Sequence, residues 1–275
     1  MPISNKDIER YYDAYQPIYN LFWSKTGLHY GFWYDDTKNL AEAISNTDKF
    51  VADILAVNPS DTVLDAGCGV GGTSIYIAET TGARVEGITI SDVQLEIARK
   101  KALKSAAKGL LNFSKQDFTE TNFKENIFSK IFGIECICHA HRKIDFLNEA
   151  CRIMKPGGRI AVVDAFLAKE DLDVQEKKIY TKFIEGWVVP DLSTQDEFSQ
   201  YLEQAGFGST VFYDMTKSIK KSSDKMYYES LLSYPIIFLA FKLGITRENL
   251  SAIYQKALFD RRIAVYGVFV AEKIR

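Results

Sequence analysis

Asp65-x-Gly67-x-Gly69-x-Gly71-Gly72 is the densest chemical signal in this 275-residue chain. It follows a short apolar run, Thr62-Val63-Leu64, and opens a helical pattern from Thr73 to Glu79. Glycines there let a ligand approach the backbone and let the turn adopt φ angles closed to other residues. The free N–H groups at the start of the following helix suit a ligand's carboxylate or other polar groups. Gly67, Gly69 and Gly72 also satisfy GxGxxG, so the loop by itself fits a dinucleotide oxidoreductase as well. Two features favour a different cofactor. Asp65 stands where a dinucleotide fingerprint has an apolar residue, and its carboxylate can orient the loop and accept from a cationic amino group. The second is the turn Lys155-Pro156-Gly157-Gly158-Arg159 before the fifth strand.

A second reactive segment is Ile134-Glu135-Cys136-Ile137-Cys138-His139-Ala140-His141, at the end of the fourth strand. Open α/β sheets bind ligands at that edge. Two Cys and two His suggest zinc, but adjacent Cys138 and His139 converge poorly on one ion with Cys136. No metal is expected. His139 is the best placed base for a hydroxyl acceptor. A core histidine bonded to backbone is the alternative reading of the same residue.

The elements that position these residues alternate. Tyr12, Tyr15, Tyr19 and Phe22 recur at helical spacing, Gly27 ends the pattern, and Asn39 to Val57 forms a second amphipathic helix. Strands are expected at Thr62–Leu64, Arg84–Ile90, Leu111–Ser114, Ile127–Cys136 and Arg159–Ala165, with helices at Val93–Ala106 and Ile144–Met154 between them. This alternation predicts an α/β fold with a parallel sheet covered on both faces. Helices then follow at Leu172–Glu185, Gln195–Ala205, Asp224–Leu243 and Arg247–Leu258, with strands at Thr210–Tyr213 and Ile263–Ala271. The expected organisation is a helical lid over 1–57 and a cofactor-binding core over 58–166. Residues 167–205 and 222–260 form a helical cover, and 206–221 and 261–275 hold the last strands. The run from Tyr234 to Phe241 is apolar on all sides. It reads as a buried helix, a tunnel wall or a homodimer contact.

A net charge of −2 gives no electrostatic reason to expect nucleic acid. Four cysteines do not make a disulfide framework, and Met1–Asp7 lacks the apolar core of a signal peptide. The longest apolar run is too short to span a bilayer. A reduced, cytoplasmic protein without a transmembrane segment is expected.

With these motifs in place, the chain resembles the class I methyltransferases that use S-adenosylmethionine (SAM). Val63 to Gly72 is similar to their first motif. Gly87-Ile88-Thr89-Ile90-Ser91, which lacks the family's usual acid, resembles the branch containing cyclopropane fatty-acid synthases and small-molecule C- and O-methyltransferases. Ile134 to Ala140 resembles the Ile-Glu-Ala-Thr-Cys-His-Ala signature of sterol C-24 and tocopherol-type methyltransferases. Tyr11-Tyr12-Asp13, Leu28-His29-Tyr30-Gly31-Phe32, Phe183-Ile184-Glu185-Gly186 and Val189 to Thr194 resemble that branch's lid and cover segments. Ser129 and Lys130 depart from its Phe-Asp opening of the fourth strand, and the region after Ser222 is closer to bacterial small-molecule enzymes.

The resemblance implies a Rossmann-like fold with a mostly parallel seven-stranded sheet, an N-terminal helical lid and a helical cover before the last strands. It implies SAM as cofactor, held by Asp65, Gly67, Gly69, Gly71, Thr89, Gln94, Asp117, Phe118, Glu135 and Tyr30. Thr89 and Gln94 are assigned to the ribose, with Glu86 a weaker candidate, and Asp117 to the adenine amino group. Glu135 and His139 are the catalytic candidates. Tyr12, Phe32, Trp33 and Trp187 are the expected substrate contacts, since aromatic faces stabilise a cation left by alkene methylation. The expected reaction is C- or O-methylation of a lipophilic or aromatic small molecule of terpenoid, sterol-like or phenolic kind. The alternatives are amine N-methylation of the sarcosine or phosphoethanolamine type, a dinucleotide oxidoreductase, and a SAM-binding module without catalysis.

Overall fold

The computed structural model describes residues 3–24, 27–242 and 251–274, without the side chains of 17–22, 233, 236, 237 and 239–241. Five α-helices and five strands lead up to the C-terminal third: α1 (Asn5–Phe22), α2 (Leu40–Ile54), β1 (Thr62–Asp65), α3 (Gly72–Thr81), β2 (Arg84–Thr89), α4 (Asp92–Ala102), β3 (Leu111–Lys115), β4 (Phe128–Ile134) and, after α5 (Lys143–Ile153), β5 (Met154–Leu167). Then come α6 (Val174–Trp187), α7 (Gln195–Gln204), β6 (Phe207–Asp214), α8 (Lys220–Lys242), α9 (Ser251–Asp260) and β7 (Ala264–Lys273). Tyr19, Phe22, Leu243 and Arg247 carried sequence expectations whose side chains or positions lie outside the described residues.

The strands form one seven-stranded sheet in the order β3-β2-β1-β4-β5-β7-β6. It is mixed but mostly parallel, because β7 runs antiparallel to both β5 and β6. Strand order reverses between β1 and β4, and the crevice above that reversal is where open α/β sheets take ligands. Asp65 and Glu135 both lie at that edge.

Alternation along the strands assigns each side chain to a face. Val63, Ala161 and Val163 join a core with α2, α3, α6 and α9, whereas Leu64, Ile160 and Val162 join α5 and α7 on the other face. Lys155 to Gly158 bulges out of β5, since Met154 pairs with Phe128 and Arg159 already pairs with Lys130. Gly157 takes the left-handed φ of 72° that this bulge needs.

Two elements differ from expectation. α2 was assigned to the lid, yet Val51, Ala52 and Leu55 are buried in the core beside Ile77 and Ala78 of α3. α7 was assigned to the cover, yet Phe198 and Leu202 pack under β7 with Phe269. Both helices carry an apolar stripe wide enough to belong to a layer, and such a stripe is the same whether a helix packs on a sheet or on a lid.

Candidate active site

The cavity over the strand ends has a volume of about 320 Å³ and is lined by every parallel strand from β1 to β5 or the loop after it. Gly67 turns the chain away from β1 so closely that a Cβ there would lie 2.4 Å from Cys136 Cβ. Gly69 and Gly71 follow at φ 50° and 81°, conformations that L side chains rarely adopt. Asp65 is buried under this loop, accepting from Ser74 Oγ at 2.7 Å and from Gly67 N at 3.4 Å. Burial pushes its carboxyl up to about 7, and those two hydrogen bonds only partly oppose the shift.

After β2, Ser91 caps α4 by accepting from Gln94 N at 3.0 Å. Gln94 and Thr89 are buried in the cavity wall, with Thr89 Oγ1 donating to Gln94 Oε1 at 3.3 Å. After β3, Asp117 accepts from Thr119, and Phe118 packs edge-on to Phe146. α1 fastens to each of these loops. Asn5 donates to Asp117 at 2.5 Å, Ser91 to Asp13 at 2.5 Å, Gln94 to Gln16 at 3.2 Å, and Lys115 pairs with Glu9 at 2.7 Å. The residues assigned to the cofactor therefore also hold α1 over the sheet edge.

Glu135 follows β4 at φ 51°, a backbone strain of the kind found at functional sites. Its Oε1 accepts from Tyr30 N and from Tyr266 Oη, each at 2.7 Å. Burial raises this carboxyl to about 7 against the pull of His29 and both hydrogen bonds. His139 lies one turn on. Its Nδ1 contacts the Val188 carbonyl at 3.1 Å, so Nδ1 carries the proton and Nε2 accepts from Tyr12 Oη at 2.9 Å. Burial lowers His139 to about 4, which keeps the ring neutral.

Lys143 and Asp164 set the turn that carries His139. The buried Lys143 Nζ donates to the carbonyls of Cys138 and Ala140 at 3.1 and 2.8 Å and pairs with Asp191 at 2.5 Å. Asp164 accepts from Cys138 N at 2.8 Å, and burial raises it to about 6.

Most of the expected site residues line this one cavity: Asp65, Gly67, Gly69, Thr89, Gln94, Asp117, Phe118, Glu135, Tyr30, His139, Tyr12 and Trp187. Gly71 shapes the loop behind it, packed against Phe113. Two expectations are corrected. Phe32 is fully buried between Phe50 and Tyr266. Trp33 points away as well, donating to Ser222 at 2.9 Å with Lys221 over its ring. From the same segment it is Gly27, Leu28, His29 and Tyr30 that line the cavity.

Asp164, Tyr266 and His29 also line the cavity and carried no assignment from the sequence. Asp164 follows Val163, the last residue of β5 that pairs with β4, so the strand-end rule that singled out Glu135 would have found it. Tyr266 gave no signal, because its strand is reversed and it is the start of β7 that meets the site. His29 forms a buried cluster with Asp48 at 3.3 Å, whose Oδ1 also accepts from Thr73 at 2.6 Å. Burial alone would lower His29, but Asp48 outweighs it and raises the imidazole to about 9.

A family model described as mycolic acid cyclopropane synthetase matches residues 3–226. The chain is 27% identical over 272 residues to sterol 24-C-methyltransferase of Saccharomyces cerevisiae, covering 98% of this chain and 68% of that one. It is 27% identical over 219 residues to 27-O-demethylrifamycin SV methyltransferase of Amycolatopsis mediterranei, covering 80% of each. Its fold matches that of the cyclopropane synthase MmaA2 from Mycobacterium tuberculosis with a TM-score of 0.86, at 18% identity and 99% coverage of both.

Proposed function

The chain belongs to the mycolic acid cyclopropane synthetase family, a branch of the SAM-dependent methyltransferases, and from that premise we propose that it methylates carbon or oxygen of a lipophilic small molecule. One observation carries the choice of acceptor. A buried carboxylate, Glu135, faces a chamber walled by Leu28, Phe183, Trp187, Val189, Leu192, Met226 and Phe259. Such a wall desolvates an apolar acceptor and offers few partners to a polar one.

The residues present fit SAM. The glycine loop leaves open backbone that a Cβ at Gly67 would close against Cys136. Asp65 offers a carboxylate below the loop, Thr89 and Gln94 offer polar groups after β2, and Asp117 with Phe118 offers an acceptor and an aromatic surface after β3. When bound there, SAM supplies an electrophilic methyl group.

The chain's own residues position and deprotonate the acceptor. α1 and the buried chamber exclude water, which favours an aligned approach of the acceptor. Glu135, whose ionised form accumulates as pH rises through about 7, takes the proton that a methylated alkene or a hydroxyl must lose. Tyr30 N and Tyr266 Oη hold its Oε1, leaving Oε2 for that proton. His139 and Tyr12 orient the acceptor through their hydrogen-bonded pair, and the aromatic rings nearby stabilise positive charge.

Incubation with methyl-labelled SAM and a panel of terpenoid, phenolic and amine acceptors tests this reading. Label is expected in a terpenoid or phenol. Label confined to amines would replace it with amine N-methylation.

A further inference from the structure

α8 turns an apolar face outward. Tyr228, Leu231, Leu232, Pro235 and Phe238 are exposed, Leu232 by 84% and Tyr228 by 62%. At 100° per residue these five fall within one third of the helix circumference. Together they expose on the order of 450 Å², about half of the roughly 800 Å² per partner that a stable protein interface buries.

The ends of this face are basic. Lys221 and Lys242 lie on the same side, and among the described residues neither pairs with a carboxylate. Their Nζ atoms sit 5.3 Å from the ring centroids of Trp33 and Phe238. The acids of α8 are already engaged: Asp224 by Lys220 and Lys256, and Glu229 by Lys225. No described helix is long and apolar enough to cross a membrane.

We propose that this face of α8 docks on the surface of an anionic lipid bilayer. Apolar side chains flanked by cations are what an interfacial helix presents: the chains enter the acyl boundary while the lysines meet lipid phosphates. The area these five described residues expose is ample for such a contact, and the flanking lysines favour lipid phosphates over an identical basic face. Met226, on the opposite side of the same helix, lines the cavity. An acceptor dissolved in the bilayer thus meets the helix that walls its chamber, a consequence that rests on the lipophilic-acceptor reading.

Co-sedimentation of the full chain with vesicles tests the docking, using phosphatidylcholine alone and phosphatidylcholine with one quarter phosphatidylglycerol. Binding to the anionic vesicles is expected, weakened by high salt, and reduced at least 10-fold by L231E/L232E at unchanged melting temperature and SAM affinity. Leu232→Glu alone, at the more exposed position, is expected to give a smaller loss. K221E/K242E is expected to erase the preference for anionic lipid. No vesicle binding, or binding that the glutamate pair leaves intact, overturns the proposal. A dimer that L231E/L232E dissociates, without vesicle binding, assigns the face to a second copy instead. Vesicle binding by a chain that labels only amines retains the docking and removes the lipophilic-acceptor reading.

Discussion

Tyr266 Oη donates to Glu135 Oε1 at 2.7 Å, tying the reversed last strand to the end of β4. The bond fixes one oxygen of a buried carboxylate that lines the cavity. Because Tyr30 N binds the same oxygen, the segment before α2, the end of β4 and β7 converge on one atom.

Glu135→Gln keeps an oxygen for Tyr30 and Tyr266 but removes the base. Turnover is expected to fall about 100- to 10,000-fold with SAM affinity within a few-fold of the parent. The carboxyl is raised to about 7, so the active, ionised form accumulates as pH rises through 7. The rate should climb across pH 6–8 in the parent and lose that limb in the variant. A pH–rate profile checks both.

Asp65→Ala removes the carboxylate below the glycine loop and leaves Ser74 without its acceptor. SAM affinity measured by calorimetry is expected to fall at least 10-fold, as for a lost charge-assisted hydrogen bond. Unchanged affinity would move the cofactor away from this loop.

Gly67→Ala meets Cys136 Cβ at 2.4 Å, a distance that forces β1 and β4 apart. A loss of about 1–3 kcal/mol in folding stability is expected, together with weaker SAM binding. Thermal melts with and without SAM read the two effects separately.

His29 is raised to about 9 by Asp48, so folding stabilises its protonated form. That contribution is fully present below the unfolded value of about 6.5 and is lost as pH rises through 9. The melting temperature should therefore decline from pH 6.5 to 9, and His29→Gln should flatten that part of the curve. An unchanged slope in the variant would exclude the cluster as its cause.

Tyr12→Phe breaks the bond to His139 Nε2 without disturbing the bond from Nδ1 to the Val188 carbonyl. A roughly 10-fold loss in kcat/KM for the acceptor is expected, at constant SAM affinity. Trp33→Phe, in contrast, should leave acceptor kinetics unchanged, because Trp33 faces Ser222 rather than the cavity.

The glycine loop and the alternation of strands around it were legible in the chain alone. Asp65 to Gly72 is contiguous, and its glycines answer to local demands of turn and close approach that neighbouring residues already specify. That Glu135 and His139 border the crevice was legible for a similar reason, since the end of a parallel strand opens on it wherever the strand lies. The remaining features needed the tertiary structure. Phe32 and Trp33 look like lid aromatics until packing turns one into the core and the other toward α8. α2 and α7 carry stripes that fit a layer or a cover equally well, and only their neighbours decide. The pairs Tyr266–Glu135 and His29–Asp48 join residues far apart in sequence, and their charge states follow from burial that no local pattern encodes. Sequence determined which groups are available for chemistry; the fold decided which of them meet, and in what state of protonation.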